Sequence, residues 1–129
     1  MIKENYVNFE TAKILKEKGF DEPCDVWYSE YSSQFGDEKY TSIEFDSHNK
    51  FDKDYKFICS APTLQMAMKW LREVHNVNIE IHYNRFGENY KYLIIYKPEV
   101  LDDIRSLGVF YSYEEACEAA IKYCLENLI

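Results

Sequence analysis

The sequence predicts an α+β fold, and three features of its 129 residues lead to that expectation. Apolar residues recur with the helical period of 3.6 in three stretches. In other stretches they alternate with polar residues, as in strands that bury one face. The predicted strands follow one another and stand apart from the helices, which favours hairpins. We therefore expect a single domain over 1–129, with an antiparallel sheet of about four to five strands and helices packed mainly on one face, in the order α-β-β-(β)-α-β-β-α.

A first helix is predicted over 9–18. Asn8 is placed to cap its start, because an asparagine side chain accepts hydrogen bonds from the first free backbone amides. Gly19 is placed to end it in the left-handed conformation, and Phe20 can fold back on the last turn. Strands are expected next over 24–31, 40–45 and 55–59, with a polar loop at 46–54.

The stretch 60–97 is the centre of the predicted architecture, because a helix there continues into a two-stranded hairpin. Ser60 is expected to cap the helix, and Pro62 is expected to lie in its first turn. The helix should end near Asn76, where the apolar period changes from 3.6 to 2. Its apolar side collects Leu64, Ala67, Met68, Leu71, Val74 and His75, extended by Trp70.

The hairpin that follows has a register that the sequence specifies. Residues 85–88 read as a four-residue turn that contains Gly87. Placing Asn84 opposite Asn89 makes every pair on one face apolar or aromatic, whereas a slip of one residue would bury lysines. The pairs on that face are Tyr83–Tyr90, Ile81–Tyr92, Ile79–Ile94 and Val77–Tyr96. The second strand also carries Leu93 and Ile95 on its other face, so it is either interior to a sheet or covered on both faces.

The last part of the chain is predicted to end in a helix. A short helical turn is expected over 99–106 before it. Ser112 and Glu115 form an S-x-x-E capping box, in which the serine hydroxyl accepts from the glutamate backbone amide. The packing face of this helix comprises Tyr113, Ala116, Cys117, Ala120, Ile121, Cys124 and Leu128.

Charge is distributed unevenly along the sequence. The net charge is −8, and it divides into −6 for residues 1–54, +3 for 55–98 and −5 for 99–129. Phosphate contacts need clustered cations, so direct binding of nucleic acid is not expected. Twelve tyrosines predict a tyrosine-rich core and sheet surface, with a recognition surface as the alternative.

No targeting or membrane segment is recognised in the sequence. The first residues lack the apolar run of a signal peptide, and no apolar stretch is long enough to span a bilayer. A cytoplasmic protein without membrane contact is therefore expected. The four cysteines are accordingly expected to be free thiols.

Three segments carry a resemblance to a known group of proteins. They are YVNFETAKILKEKGFDEPC at 6–24, SAPTLQMAMKWLREVH at 60–75 and YSYEEACEAAIKYCLENLI at 111–129. These segments resemble blocks shared by small proteins of Bacteroides-type gut bacteria that have no assigned function and are often encoded among prophage or mobile-element genes. The resemblance covers less than half of the chain. It implies a family relationship but no activity, so no catalytic residue carries over.

The sequence offers few candidates for chemistry. There is no C-x-x-C pair and no glycine-rich phosphate loop, so neither a metal site nor a cofactor is predicted. His48 stands among aspartates at 46–54, but that loop lacks the glycine and glutamate of a calcium-binding EF-hand. His82 is flanked by Glu80 and faces Lys91, which would allow acid–base chemistry only if the three lined a cleft.

The leading interpretation is a small non-enzymatic protein-interaction or accessory factor of a phage or mobile element. Its partner would be an unidentified protein, and a homodimer through the tyrosine-rich sheet or the last helix is also considered. Two alternatives stay open: an acidic nucleic-acid mimic that inhibits a host enzyme, and a small hydrolase or metal-binding protein that uses His48 or His82. Binding is expected on the outer or edge surface of the hairpin, at Glu80, His82, Arg85, Tyr90 and Lys91.

Overall fold

The computed structural model of the protein describes residues 1–32, 39–45, 55–96, 104–106 and 108–129. These residues group into two compact units, an N-terminal unit of Tyr6–Pro62 and a C-terminal unit of Thr63–Ile129 together with Met1–Asn5. The single domain expected over 1–129 stays a prediction. The helices and strands in chain order are α1 (Phe9–Glu17), β1 (Val26–Ser32), β2 (Lys39–Phe45), β3 (Tyr55–Ser60), α2 (Leu64–His75), β4 (Val77–Asn84), β5 (Asn89–Tyr96), β6 (Ile104–Arg105) and α3 (Tyr113–Asn127).

The combination of helices and antiparallel strands confirms the α+β class. The expectation of one sheet with four to five strands was wrong, because the described strands form two small sheets, in the orders β2-β1-β3 and β4-β5-β6. Alternation identifies a strand but not its neighbour. Each group of strands lies on one side of α2 in the sequence and pairs within that group, as consecutive strands usually do.

In the N-terminal unit, both ends of α1 are closed as the sequence predicts. The Asn8 side chain accepts a hydrogen bond from the Thr11 amide at 2.9 Å. Gly19 has a φ of +98°, and the amide of Phe20 donates to the carbonyl oxygen of Leu15 at 2.9 Å. The amide of Gly19 also donates to the carbonyl oxygen of Lys16 at 3.1 Å, which completes a Schellman ending, and the Phe20 side chain is buried.

The sheet of the N-terminal unit has β1 in its middle. Val26 to Ser32 pair with Phe45 to Lys39 on one side, and β3 pairs on the other. The register shifts between Tyr28, which faces Cys59, and Ser29, which faces Phe57. Ile58 is therefore the extra residue of a β-bulge. Lys16 of α1 donates to the Ile58 carbonyl at 2.6 Å, which ties the helix to the bulged strand.

In the C-terminal unit, α2 begins later than the sequence suggested. Its cap is Thr63, whose hydroxyl accepts from the Met66 amide at 3.1 Å, and not Ser60. Thr63 adopts the extended backbone conformation of a helix cap. The helix ends at Asn76, which is left-handed with a φ of 56°. Val74 is 57% exposed, so its place on the apolar side was predicted wrongly.

The hairpin register is confirmed at every predicted pair, from Val77 opposite Tyr96 to Asn84 opposite Asn89. β5 is the middle strand, because the short β6 pairs with its other edge through Leu93 and Ile94. β6 lies in the stretch where a helical turn was expected, and this expectation was wrong for residues 104–105. The rest of that turn, 99–103, lies outside the described residues.

α3 begins with the predicted capping box, in which the Glu115 amide donates to the Ser112 hydroxyl at 3.0 Å. The helix packs against β4, β5 and α2. Its small residues allow a close approach to the sheet. The residues of α3 that become fully buried are Ala116, Cys117, Ala120, Ile121, Cys124 and Leu125. This apolar face is buried within the chain, and a homodimer through the last helix stays a prediction.

Candidate functional site

Three of the predicted binding residues lie together on one face of the β4–β5 hairpin. Glu80 and His82 are two residues apart on β4, and the Oε2 of the first lies 3.2 Å from the Nε2 of the second. Lys91 of β5 stands directly opposite His82. The side chains of His82 and Glu80 are 60% and 52% exposed. The arrangement is an open polar patch of both charge signs, and it presents no nucleophile.

The other two predicted residues, Arg85 and Tyr90, lie elsewhere. Arg85 is in the turn, with its guanidinium carbon 5.2 Å from the centre of the Phe86 ring. Tyr90 follows the alternation of β5 onto the opposite face from Lys91. The five residues therefore do not form one cluster, and an aromatic surface and a polar surface stand on opposite faces of the hairpin.

The aromatic surface is a row of three tyrosines, Tyr83, Tyr90 and Tyr113, which we call the aromatic row. The ring centres of Tyr83 and Tyr90 are 5.1 Å apart, and those of Tyr90 and Tyr113 are 6.3 Å apart with their planes at 82°. Such tilted and edge-on contacts are the favourable ones for aromatic rings. Gln65 of α2 donates a hydrogen bond to the Tyr113 hydroxyl at 3.1 Å, which holds the end of the row.

Much of this aromatic surface is open to solvent. Tyr83 is 57% exposed, Tyr113 is 37% exposed, and Phe86 in the adjoining turn is 89% exposed. Large apolar side chains grouped at a surface are typical of interaction sites, whereas single ones are ordinary. The sequence pattern predicts packing faces for Tyr83 and Tyr113 and does not single out Phe86. The missed signal is their position at the turn end of the hairpin and in the first turn of α3.

A small cavity of about 200 Å³ adjoins the row. Its lining is mixed in polarity and comprises Ile2, Lys3, Glu4, Asn5, Leu64, Gln65, Tyr113 and Glu114. Pockets for drug-sized ligands are usually at least ~300 Å³. The volume instead suits a single side chain of a bound protein.

The histidines offer no catalytic arrangement among the described residues. The His75 ring packs edge-on against Trp70, 4.7 Å between ring centres, which is a structural role. His82 lies on an open sheet face. No group of three or more His, Cys, Asp or Glu in the described part of the chain could hold a metal ion. His48 and the loop 46–54 lie outside the described residues.

The cysteines are free thiols, and burial disfavours their ionisation. Burial raises the pKa of Cys117 to about 11 and that of Cys124 to about 12. It also raises the pKa of Cys24 and of Cys59. A nucleophilic cysteine acts as a thiolate and needs a lowered pKa. These four thiols are protonated at neutral pH and behave as small apolar groups.

Within the described ranges, none of the helices is long and apolar enough to cross a membrane. The chain matches no family model, no curated protein and no solved structure in three comparisons. The resemblance to small proteins of mobile genetic elements therefore stays a prediction.

Proposed function

We propose that the protein is a non-enzymatic interaction factor that binds a protein partner through the aromatic row and Phe86. The observation that carries the proposal is the exposure of Tyr83 and Phe86 at the turn end of the hairpin and of Tyr113 on α3. Tyrosine and phenylalanine are enriched in the buried centres of protein–protein interfaces, where they contribute much of the binding energy. The partner is expected to present a side chain to the cavity beside Tyr113.

The polar patch on the other face supports the same interpretation in a secondary way. Glu80, His82 and Lys91 are exposed and close together, so they can contribute to orientation and association rate more than to affinity. The protonated thiols and the open position of His82 favour a non-enzymatic role over hydrolysis. An accessory role in a phage or mobile element follows from the sequence resemblance alone.

The alternatives of an acidic nucleic-acid mimic and of a small hydrolase or metal-binding protein stay predictions. No feature of the described residues favours either over a protein-interaction role. A mimic would require carboxylates in one continuous band. A hydrolase or metal site would require His48 or His82 in a cleft.

A pull-down with point variants tests the proposal. Tagged protein is incubated with lysate of the cells that encode it, and captured proteins are quantified for wild type and for Phe86→Ser, Tyr113→Ser and Val74→Ser. Val74 is an exposed apolar residue at the end of α2, so its variant is the matched control. We expect one stoichiometric partner that is lost with the first two variants and kept with the control. Capture that is equal in all variants, or no stoichiometric partner, contradicts the proposal.

A further inference from the structure

The hydrogen bonds of β5 show toward which neighbouring strand its amide and carbonyl groups are directed. The Tyr90 amide donates to the Phe110 carbonyl at 2.7 Å, and the Phe110 amide donates back at 2.9 Å. The Ser106 amide donates to the Tyr92 carbonyl at 3.0 Å. Tyr90 and Tyr92 therefore direct their backbone groups away from β4.

This direction fixes the backbone orientation of β4. In an antiparallel pair of strands, the backbone amide and carbonyl groups of two opposed residues are directed either toward each other or both away from the shared edge. Tyr83 and Ile81 oppose Tyr90 and Tyr92, so the amide and carbonyl groups of Tyr83 and Ile81 are directed away from β5. Because the direction alternates along a strand, those of Ile79 are directed away from β5 as well. Among the described strands, none pairs with this outer edge. A strand edge that lacks a paired neighbour is a template for a further strand.

We propose that the strand that fits this edge is β4 of a second copy of the protein, antiparallel, with Ile81 on the two-fold axis. Ile81 then exchanges two hydrogen bonds with its equivalent. Ile79 likewise exchanges two hydrogen bonds with Tyr83 of the second copy, and by symmetry this pair occurs twice. The two sheets join into one continuous sheet across an isologous interface. This self-association uses the edge of β4 and shares only Tyr83 with the aromatic row.

Charge complementarity on the exposed face argues for this occupant and this register. With Ile81 on the axis, Glu80 lies directly opposite His82 of the second copy, and the pair occurs twice. These are non-hydrogen-bonded pairs, in which side chains of adjacent strands come closest. The group that faces His82 from β5 is Lys91, so each carboxylate meets a surface of opposite sign. On the other face, Ile79 covers part of Tyr83, which is 57% exposed in the single chain.

The neighbouring registers are less favourable. Moving the axis to Glu80 places the two Glu80 carboxylates opposite each other. Moving it to His82 places two imidazoles opposite each other and leaves Glu80 opposite Asn84. Like charges directly opposite on adjacent strands are destabilising, which disfavours the register centred on Glu80. The register centred on His82 forms no Glu80–His82 pair, so the register centred on Ile81 is the most favourable of the three.

Sedimentation velocity over about 10–500 μM protein at neutral pH tests the dimer, for which we expect a dissociation constant of roughly 1–100 μM, because one strand pair is smaller than a standard interface. His82→Glu places like charges opposite each other twice and should weaken the dimer at least ~10-fold. Within its own chain the new carboxylate faces Lys91 and lies beside Glu80 on an exposed sheet face, so the monomer should stay folded, which circular dichroism checks. The double variant Glu80→Lys/His82→Glu reverses the polarity and should restore the wild-type dissociation constant.

Cysteine cross-linking tests the register directly. In a Cys24→Ser background, Ile81→Cys places two thiols opposite each other, with Cα atoms ~5.5 Å apart, within the range for a disulfide. Ile79→Cys places its two equivalents roughly 13 Å apart along the strands. Oxidation should therefore cross-link the first variant and not the second. A monomer at all concentrations, a dimer that His82→Glu does not weaken, or faster cross-linking at position 79 would each overturn the proposal.

Discussion

The hydroxyl of Tyr96 donates a hydrogen bond to the carbonyl oxygen of Leu128, 3.1 Å away. Tyr96 lies on the face of β5 that α3 covers, and Leu128 is the C-cap of α3. The last carbonyls of a helix have no partner within the helix, so the tyrosine satisfies one of them and fixes the helix end on the sheet. Tyr96 therefore has a structural role in packing, whereas Tyr83 and Tyr113 of the aromatic row are exposed to solvent.

Tyr96→Phe is expected to lower the free energy of unfolding by about 1 kcal/mol, because the Leu128 carbonyl loses a donor in a half-buried place. Urea denaturation measures the change. Tyr111→Phe is the control, since Tyr111 is 77% exposed and should show no change. Equal effects of the two substitutions would mean that the hydroxyl of Tyr96 does not stabilise the end of α3.

Gly19→Ala should destabilise the protein by about 1–2 kcal/mol, because a residue with a side chain is disfavoured in the left-handed region. A Cβ added at Gly19 would meet nothing within 4 Å, so the cost comes from the φ of +98° and not from a clash. Gly108→Ala is the matched control, because a Cβ there also meets nothing and its φ lies outside that region. Thermal unfolding of the two variants should show a lower midpoint only for Gly19→Ala.

Local features of the fold could be predicted well from the sequence. The pairing of Val77 with Tyr96 follows from alternation and turn length, since a slip of one residue would exchange the two faces of the hairpin. The caps at Asn8 and Ser112 follow from residue type and spacing, since each acts on an amide three positions away. Such features depend on interactions between residues that are close in the sequence, so residue type and spacing are enough to predict them.

Features that depend on distant contacts could not be predicted in the same way. Ser60 and Thr63 are both suitable caps by residue type, and the choice depends on where the chain leaves β3. The division into two sheets depends on which strand edges meet, which alternation does not encode. The five predicted binding residues do not form one cluster for the same reason. Lys91 and Tyr90 are adjacent in sequence but face opposite sides of the sheet, and how exposed each face is depends on what α3 covers.

Thr63→Ala is expected to lower the stability by about 1 kcal/mol, because the Met66 amide loses the hydroxyl that caps α2. Thr63→Ser keeps the hydroxyl and should cost much less. Chemical denaturation followed by tryptophan fluorescence, to which Trp27 and the buried Trp70 of α2 both contribute, measures both variants. If the alanine and serine variants were equally destabilised, loss of the threonine methyl group and not of the cap would be the cause.

The buried thiol of Cys124 should make the protein less stable in alkali. Its pKa is raised by burial to about 12, against an ordinary value of 9.0, so above pH ~9 the unfolded chain loses this proton while the folded chain keeps it. Proton release then favours unfolding, and the free energy of unfolding falls by up to ~1.4 kcal/mol per pH unit from this group until the pH passes its folded-state pKa. Below the ordinary pKa the thiol makes no pH-dependent contribution.

Cys124→Ala should therefore flatten the fall in stability above pH ~9, even though it removes buried volume and lowers stability at neutral pH. Urea denaturation at several pH values between neutral and strongly alkaline gives the slope for each protein. Cys24→Ala is the comparison, because Cys24 is only half-buried and its removal should change the slope less. Identical slopes of the unfolding free energy against pH for wild type and Cys124→Ala would contradict the prediction. They would mean that the thiol ionises as readily in the folded chain as in the unfolded one, although Cys124 is fully buried on α3.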